Sequence, residues 1–193
     1  MFVFKYSLIL LIFLFLHLKI LYFYKYRFLI IVIMTTLSYT YRYATELDID
    51  VIMKGILEIL FLEENKTNFF SEEKHQEQLH LIDSAIDKNT IIVAEDNNEV
   101  IGFIWFHITH KCFYGLDYGK LENQYMFISY IWVLEAYRNK GIAKQLYDKV
   151  IDIAKDKNIK KIWIDIYMSN EKSINFHNNL GFQPQITLYS KDI

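Results

Sequence analysis

The sequence predicts an α/β fold: a mixed, mostly antiparallel sheet flanked by helices, with one parallel strand–helix–strand crossover. Three observations carry this. Period-two apolar runs alternate with longer stretches whose apolar residues recur every three or four positions. Thr90 to Ala94 and Val100 to Ile108 flank the turn residues Asp96, Asn97, Asn98 and Glu99, and so read as an antiparallel hairpin. Gln124 to Val133 and Lys160 to Tyr167 read as strands separated by a helix, which makes them parallel neighbours joined by a right-handed crossover.

The elements follow in order. Leu37 to Tyr43 alternates polar and apolar residues and reads as a strand. Glu46 to Leu62 reads as a helix, with Leu47, Val51, Ile52, Ile56 and Ile59 at helical spacing and Thr45 and Asp48 placed as a capping box. Asn65 to Asn68 reads as loop. Ser71 to Ile86 is a second helix, capped by Ser71 with Glu72 and Glu73 in its first turn. Thr109 to Asn123 is a long polar and aromatic loop. Gly141 to Lys157 is amphipathic: Ile142, Leu146, Val150, Ile153 and Ala154 share a stripe, and Lys144, Asp148, Asp152 and Lys155 face away. Lys160 to Tyr167 carries Ile162, Ile164 and Ile166 on one face and Trp163 on the other, the pattern of a strand buried on both sides. Glu171 to Asn179 is a short helix and Gln185 to Ser190 a last strand.

Composition narrows the function classes. A net charge of −2 over 193 residues gives no nucleic-acid footprint. The single cysteine, Cys112, excludes an internal disulfide and reads as a small hydrophobe, fitting a reducing, cytoplasmic setting. His107 and His110 lie three apart with no third ligand in view, so no metal is expected. Residues Met1 to Ile33 are a separate hydrophobic segment with no Asp or Glu. Three readings stay open: a membrane anchor, a secretory signal, or residues outside the working protein. His17, Lys19, Lys25 and Arg27 break any clean spanning run, and no small-residue cleavage site follows. The composition, which A/T-rich codons would produce, favours the third reading, with Met34 opening one domain that runs to the C-terminus. Without the segment, 17 basic and 23 acidic residues leave −6.

The chemistry concentrates after Ile131. A strand ends near Val133, and a short turn with Gly141 opens a helix whose first N–H groups and dipole suit a phosphate, with Lys140 beside it. Arg138-x-x-Gly141-x-Ala143 resembles the acyl-CoA motif of the GNAT (GCN5-related N-acetyltransferase) superfamily. The lead-in from Val133 through Tyr137 to Arg138 and the ending Asn170-x-x-Ser173-x-x-x-His177-x-x-x-Gly181-Phe182 are similar to that family's. So is the opening at Tyr41 to Thr45. The resemblance runs from about Met34 to the C-terminus.

It implies that Ile131, Trp132 and Val133 bind the pantetheine arm through the strand backbone. Arg138, Asn139, Lys140, Gly141, Ile142, Ala143 and Lys144 would form the pyrophosphate turn, and Asn170 would contact the cofactor arm. Acetyl-CoA is the implied cosubstrate. The parallel strands would splay to admit the thioester, and an N–H at a bulge near Ile131 would stabilise the oxyanion. His177 stands where the family often has a tyrosine acid. It either protonates the leaving thiolate or packs and hydrogen-bonds locally. The implied acceptor is a primary amine of a small molecule, amino-acid-like or a polyamine, in a pocket made by the two N-terminal helices and the 109–123 loop. Phe113, Tyr114, Tyr118 and Tyr125 line it or cover the sheet. Glu63, Glu64, Glu72 and Glu73 would suit a cation, and Glu95 and Glu122 are candidate bases. A binding module without transferase activity, a protein N-acetyltransferase, a membrane-tethered enzyme and a homodimer all stay open.

Overall fold

A computed structural model describes residues 39–64, 71–110 and 124–189, with Tyr22 and Lys191 besides. The chain divides into two units, Met1–Ser38 and Tyr39–Ile193. The three readings of Met1 to Ile33 fall outside the described residues, as do Leu37, Ser38, the Asn65 to Asn68 loop and residues 111–123, which include Cys112 and Glu122. Among the described residues, no helix is long and apolar enough to cross a membrane.

The elements are β1 (Thr40–Tyr43), α1 (Ile49–Glu64), α2 (Glu72–Asp87), β2 (Ile91–Asp96), β3 (Glu99–Thr109), β4 (Tyr125–Val133), α3 (Ile142–Asp156), β5 (Ile162–Ile164) and α4 (Glu171–Asn179). The five strands form one sheet in sequence order. All neighbours are antiparallel except β4 and β5, which are parallel. This is the mixed, mostly antiparallel sheet with one crossover that the patterns predict.

Local chemistry sets the ends. The hairpin turn has Asn97 and Asn98 at φ 50° and 67°, the left-handed pair of a two-residue turn whose twist matches the strands. Ser71 caps α2 by accepting the Lys74 N–H. Thr45 and Asp48 form the expected capping box, with the Thr45 backbone N–H donating to Asp48 Oδ2 at 2.7 Å. Helix α4 ends in a Schellman motif on Gly181 at φ 88°, with Phe182 N–H on His177 O and Gly181 N–H on Asn178 O.

Two apolar layers sandwich the sheet. Ile92, Ile104, Phe106, Met126 and Ile128 meet Leu146, Tyr147 and Val150 of α3 on one face. Val93, Phe103, Trp105 and Trp132 meet Ile52, Ile56 and Ile82 of α1 and α2 on the other. Helix α1 crosses so closely that a Cβ on Gly55 would lie 2.5 Å from the Phe103 ring and 2.8 Å from Trp132. Overpacking costs about 1–3 kcal/mol, and the better helix propensity of alanine returns only about 1 kcal/mol. Gly55→Ala is therefore expected to lower the urea midpoint, and Gly55→Val to lower it much further. An unchanged Gly55→Val midpoint would show that the helix is not seated on these rings.

Two expectations are corrected. Strand β5 spans only Ile162–Ile164 and is half-buried, because it is the edge of the sheet. Residues 185–189, read as a last strand, are exposed and form none. β5 is too short to offer them a ladder.

Candidate active site

The site begins at an irregularity in β4. Trp105 pairs with Tyr130 but Phe106 pairs with Ile128, so Ser129 is an extra residue, a β-bulge. A one-residue insertion reverses both side-chain face and hydrogen-bonding edge beyond it. Before the bulge, Met126 N–H donates across to Lys161 O beside β5. After it, Leu134 N–H donates to Ile101 O on β3, so alternation turns the N–H and C=O groups of Ile131 and Val133 toward the β5 side. There β5 has stopped: pairing covers only Met126–Ile128 against Ile162–Ile164. The two parallel strands part at the bulge and leave a stretch of β4 edge facing a groove. Ser129, Tyr130, Ile131, Asn170, Ser173 and His177 line it.

The β4 edge leads into the turn before α3. Asn139 and Gly141 have φ 61° and 82°, so the chain makes two left-handed steps just before the helix. Glycine stands at Gly141 because of that angle: a Cβ would meet nothing within 4 Å, and the space beside it is open. The first helical bond is Gln145 N–H to Gly141 O, so the N–H groups of Ile142, Ala143 and Lys144 precede it.

The side chains here are mostly committed to protein. Arg138 Nε donates to Val133 O at 2.9 Å, and its other arm lies 3.7 Å from Glu58. Trp132 is buried on the α1 side and donates Nε1–H to the same Glu58 carboxylate at 2.6 Å. Lys140 sits over the Tyr137 ring, Lys144 pairs with Asp148, and Ile142 is buried in the core. What the turn offers a ligand is its backbone.

Helix α4 closes the groove. Asn170 caps it, accepting Ser173 N–H at 3.1 Å. His177 is only 2% exposed, packed among Phe176, Tyr147 and Phe182. Its Nδ1 lies 2.7 Å from Ser173 O, a pure acceptor, so Nδ1 carries the proton. Nε2 then accepts the Tyr147 hydroxyl at 2.7 Å. Both ring nitrogens are engaged within the protein.

Burial pushes the His177 pKa below its ordinary value, with the Ser173 carbonyl offsetting part of that. The sign follows. The unfolded chain takes up a proton near pH 6.5 and the folded ring resists it, so stability is full above about pH 6.5 and falls as pH drops below it. His107, also lowered by burial, acts in the same direction. His177→Phe is expected to flatten part of this acid slope. It should also cost about 1–3 kcal/mol at pH 7.5, because the buried Tyr147 hydroxyl loses its acceptor. Urea unfolding at several pH values measures both.

The structure thus places Ile131 and Asn170 on one groove and sets the Asn139 to Lys144 turn at the start of α3, further along the chain from Val133. It turns the Trp132 side chain away. Glu95, a candidate base, is instead held by Arg42 at 2.6 Å. Tyr125, expected at the loop edge, is buried in β4. Ser129 and Glu58 were not singled out in the sequence, because every neighbour of Ser129 in β4 is apolar and Glu58 reads as an ordinary helix-surface charge.

Residues 57–182 match the family model described as the acetyltransferase (GNAT) family, and the chain belongs to that family. Its match to N-alpha-acetyltransferase 30 of Schizosaccharomyces pombe is 28% identical over 97 residues, which is 50% of this chain and 59% of that protein. Among solved structures, a protein of Clostridium acetobutylicum described as a predicted acetyltransferase, with acetyl-CoA, superposes with a TM-score of 0.65 at 20% identity. That match covers 80% of this chain and 96% of the other. The aminoglycoside acetyltransferase AAC(6')-Iy, in complex with a CoA bisubstrate analogue, gives 0.61 at 19%, covering 81% and 99%. At these identities the likenesses show a common fold.

Proposed function

We propose that the chain is an acetyl-CoA-dependent N-acetyltransferase acting on a primary amine of a small molecule. One observation carries this: the β4 edge that β5 leaves unpaired around Ile131 leads, through Leu134 and the short helical turn Glu135–Tyr137, into the Gly141 turn. The first takes a chain of amide groups, as pantetheine has, and the second takes a pyrophosphate. The residues fit the cosubstrate. Ile131 and Val133 would pair with the arm, the N–H groups from Asn139 to Lys144 would hold the phosphates, and Asn170 would approach from α4. The Ile131 N–H is the proposed oxyanion donor. His177 is proposed to position the groove wall, since its nitrogens are already engaged.

Acetyl-CoA supplies an activated acetyl thioester. The amine must be neutral to attack it, which costs an alkyl ammonium of pKa about 10.4 roughly 4–5 kcal/mol at pH 7. The curated relative favours a second acceptor, a peptide α-amino group, whose pKa of about 7.7–8.0 cuts that cost to about 1 kcal/mol. The proposed compartment is the cytoplasm, which suits a chain with one cysteine. We place the catalytic unit at Met34 to Ile193.

The test is free-thiol release from acetyl-CoA by the full chain with spermidine, neamine and a tripeptide bearing a free α-amino group. Release with spermidine or neamine supports the small-molecule reading, and release with the peptide alone supports the second. Tight acetyl-CoA binding with no release from any of them would make the chain a binding module.

A further inference from the structure

The bulge residue carries a hydroxyl, and a histidine stands behind it. His107 Nδ1 lies 3.2 Å from Ser129 Oγ, across the β3–β4 ladder. Phe103 and Trp105 of the same strand face the α1–α2 layer, so His107, two residues further, faces that side too. Both residues are half-buried and line the groove, with Ser84 and Lys88 of α2 along the same stretch. The His107 ring also packs 5.3 Å from that of Phe127, which fixes its plane. The pair therefore sits beside the bared β4 edge, but on the opposite face of the sheet from α3.

We infer that Ser129 and His107 form the proton-accepting pair for the acceptor amine, Ser129 Oγ touching the amine and His107 receiving the proton through it. The inference rests on the acetyl-transfer reading and adds the base that reading lacks. In the operative tautomer the Ser129 hydroxyl donates to His107 Nδ1. An ammonium proton of the acceptor passes to Ser129 Oγ as the hydroxyl proton passes to Nδ1. The neutral amine nitrogen then bonds to the thioester carbon, the C–S bond breaks, and the second amine proton ends on the departing thiolate. His107 returns its proton to solvent. Net, an ammonium and a thioester become an amide, a thiol and one released proton.

Burial keeps His107 below its ordinary pKa, so it is neutral at pH 7 and ready to accept. The other charged or titratable groups along the groove are Lys88, Tyr130, Lys160, Lys161, Asp165, Tyr167 and His177. None of them makes a described contact with Ser129 Oγ.

The experiment compares the full-length native chain with His107→Gln and Ser129→Ala, using whichever of spermidine, neamine or the tripeptide is acetylated fastest. Acetyl-CoA affinity by calorimetry reports the cofactor site. The expected result is unchanged acetyl-CoA affinity, with kcat/KM at pH 7 lower by about a hundredfold or more in both variants, the usual scale of base catalysis. The acid limb of the native pH profile, set by His107, should vanish in His107→Gln. Variants within threefold of native, or an acid limb that persists in His107→Gln, overturn the inference and leave acetyl transfer standing. Absence of amine-dependent release from the native chain overturns acetyl transfer itself, and this inference with it.

Discussion

Gly141→Glu is expected to weaken acetyl-CoA binding by about a hundredfold or more while the sheet stays folded. Gly141 is at φ 82° with open space where a Cβ would point. A carboxylate placed there enters the volume assigned to the pyrophosphate. Two unit charges about 4 Å apart repel by about 4 kcal/mol at an effective dielectric of 20, and each 1.4 kcal/mol is tenfold in affinity. The control is Gly141→Ala, which brings no charge and meets no neighbour. It should cost about 1–2 kcal/mol of stability for the left-handed backbone and leave affinity within a few fold. Calorimetric titration of both variants decides the matter. A Gly141→Glu variant that binds like native protein would place the phosphates elsewhere.

The largest loss of stability is expected at Arg42. Its guanidinium grips Asp48 with both arms, at 2.7 and 2.9 Å, and Glu95 at 2.6 Å, tying β1 to β2 and to the turn that starts α1. The Asp48 side chain is only 5% exposed. Its own burial would raise its pKa, but the hydrogen bonds from Arg42 and Thr45 outweigh that and hold it below the ordinary value. Removing one partner of a buried pair costs about 3–5 kcal/mol. Arg42 is itself 36% exposed, so water softens the loss, and about 2–4 kcal/mol is expected for Arg42→Leu.

The pH dependence separates this cause from simple loss of packing. In the native chain, Asp48 contributes stability above about pH 4 that is lost on further acidification. In Arg42→Leu the stranded carboxylate has a raised pKa, so the variant's deficit should shrink as pH falls from 7 toward 5. A deficit constant with pH would refute the ion-pair account.

Much of this architecture is legible residue by residue because its signals are local. Glu171–Asn179 is bounded by an Asn cap and a glycine at positive φ, so both its ends can be read from sequence. The Asn97-Asn98 turn and the Gly141 helix start are equally local. The corrected elements depend on partners far along the chain. Residues 185–189 have strand-like composition, but a strand exists only if an edge is available to pair with. The bulge is invisible for a related reason. Tyr125 to Val133 is apolar on both sides of Ser129, so no break in alternation marks the inserted residue.

By itself, the sequence determines the order of elements as far as Asn179, the glycine at the turn before α3 and the family to which the chain belongs, since each follows from neighbours within a helical turn or a hairpin. Only the tertiary structure decides which edge of β4 is bare, that Arg138 and Trp132 converge on Glu58, that His177 is enclosed by Tyr147 and Ser173, and that His107 backs Ser129. Those contacts join residues 22 to 80 positions apart, apart from Ser173, one helical turn from His177. Strand register and layer packing create them, and no local propensity encodes a register.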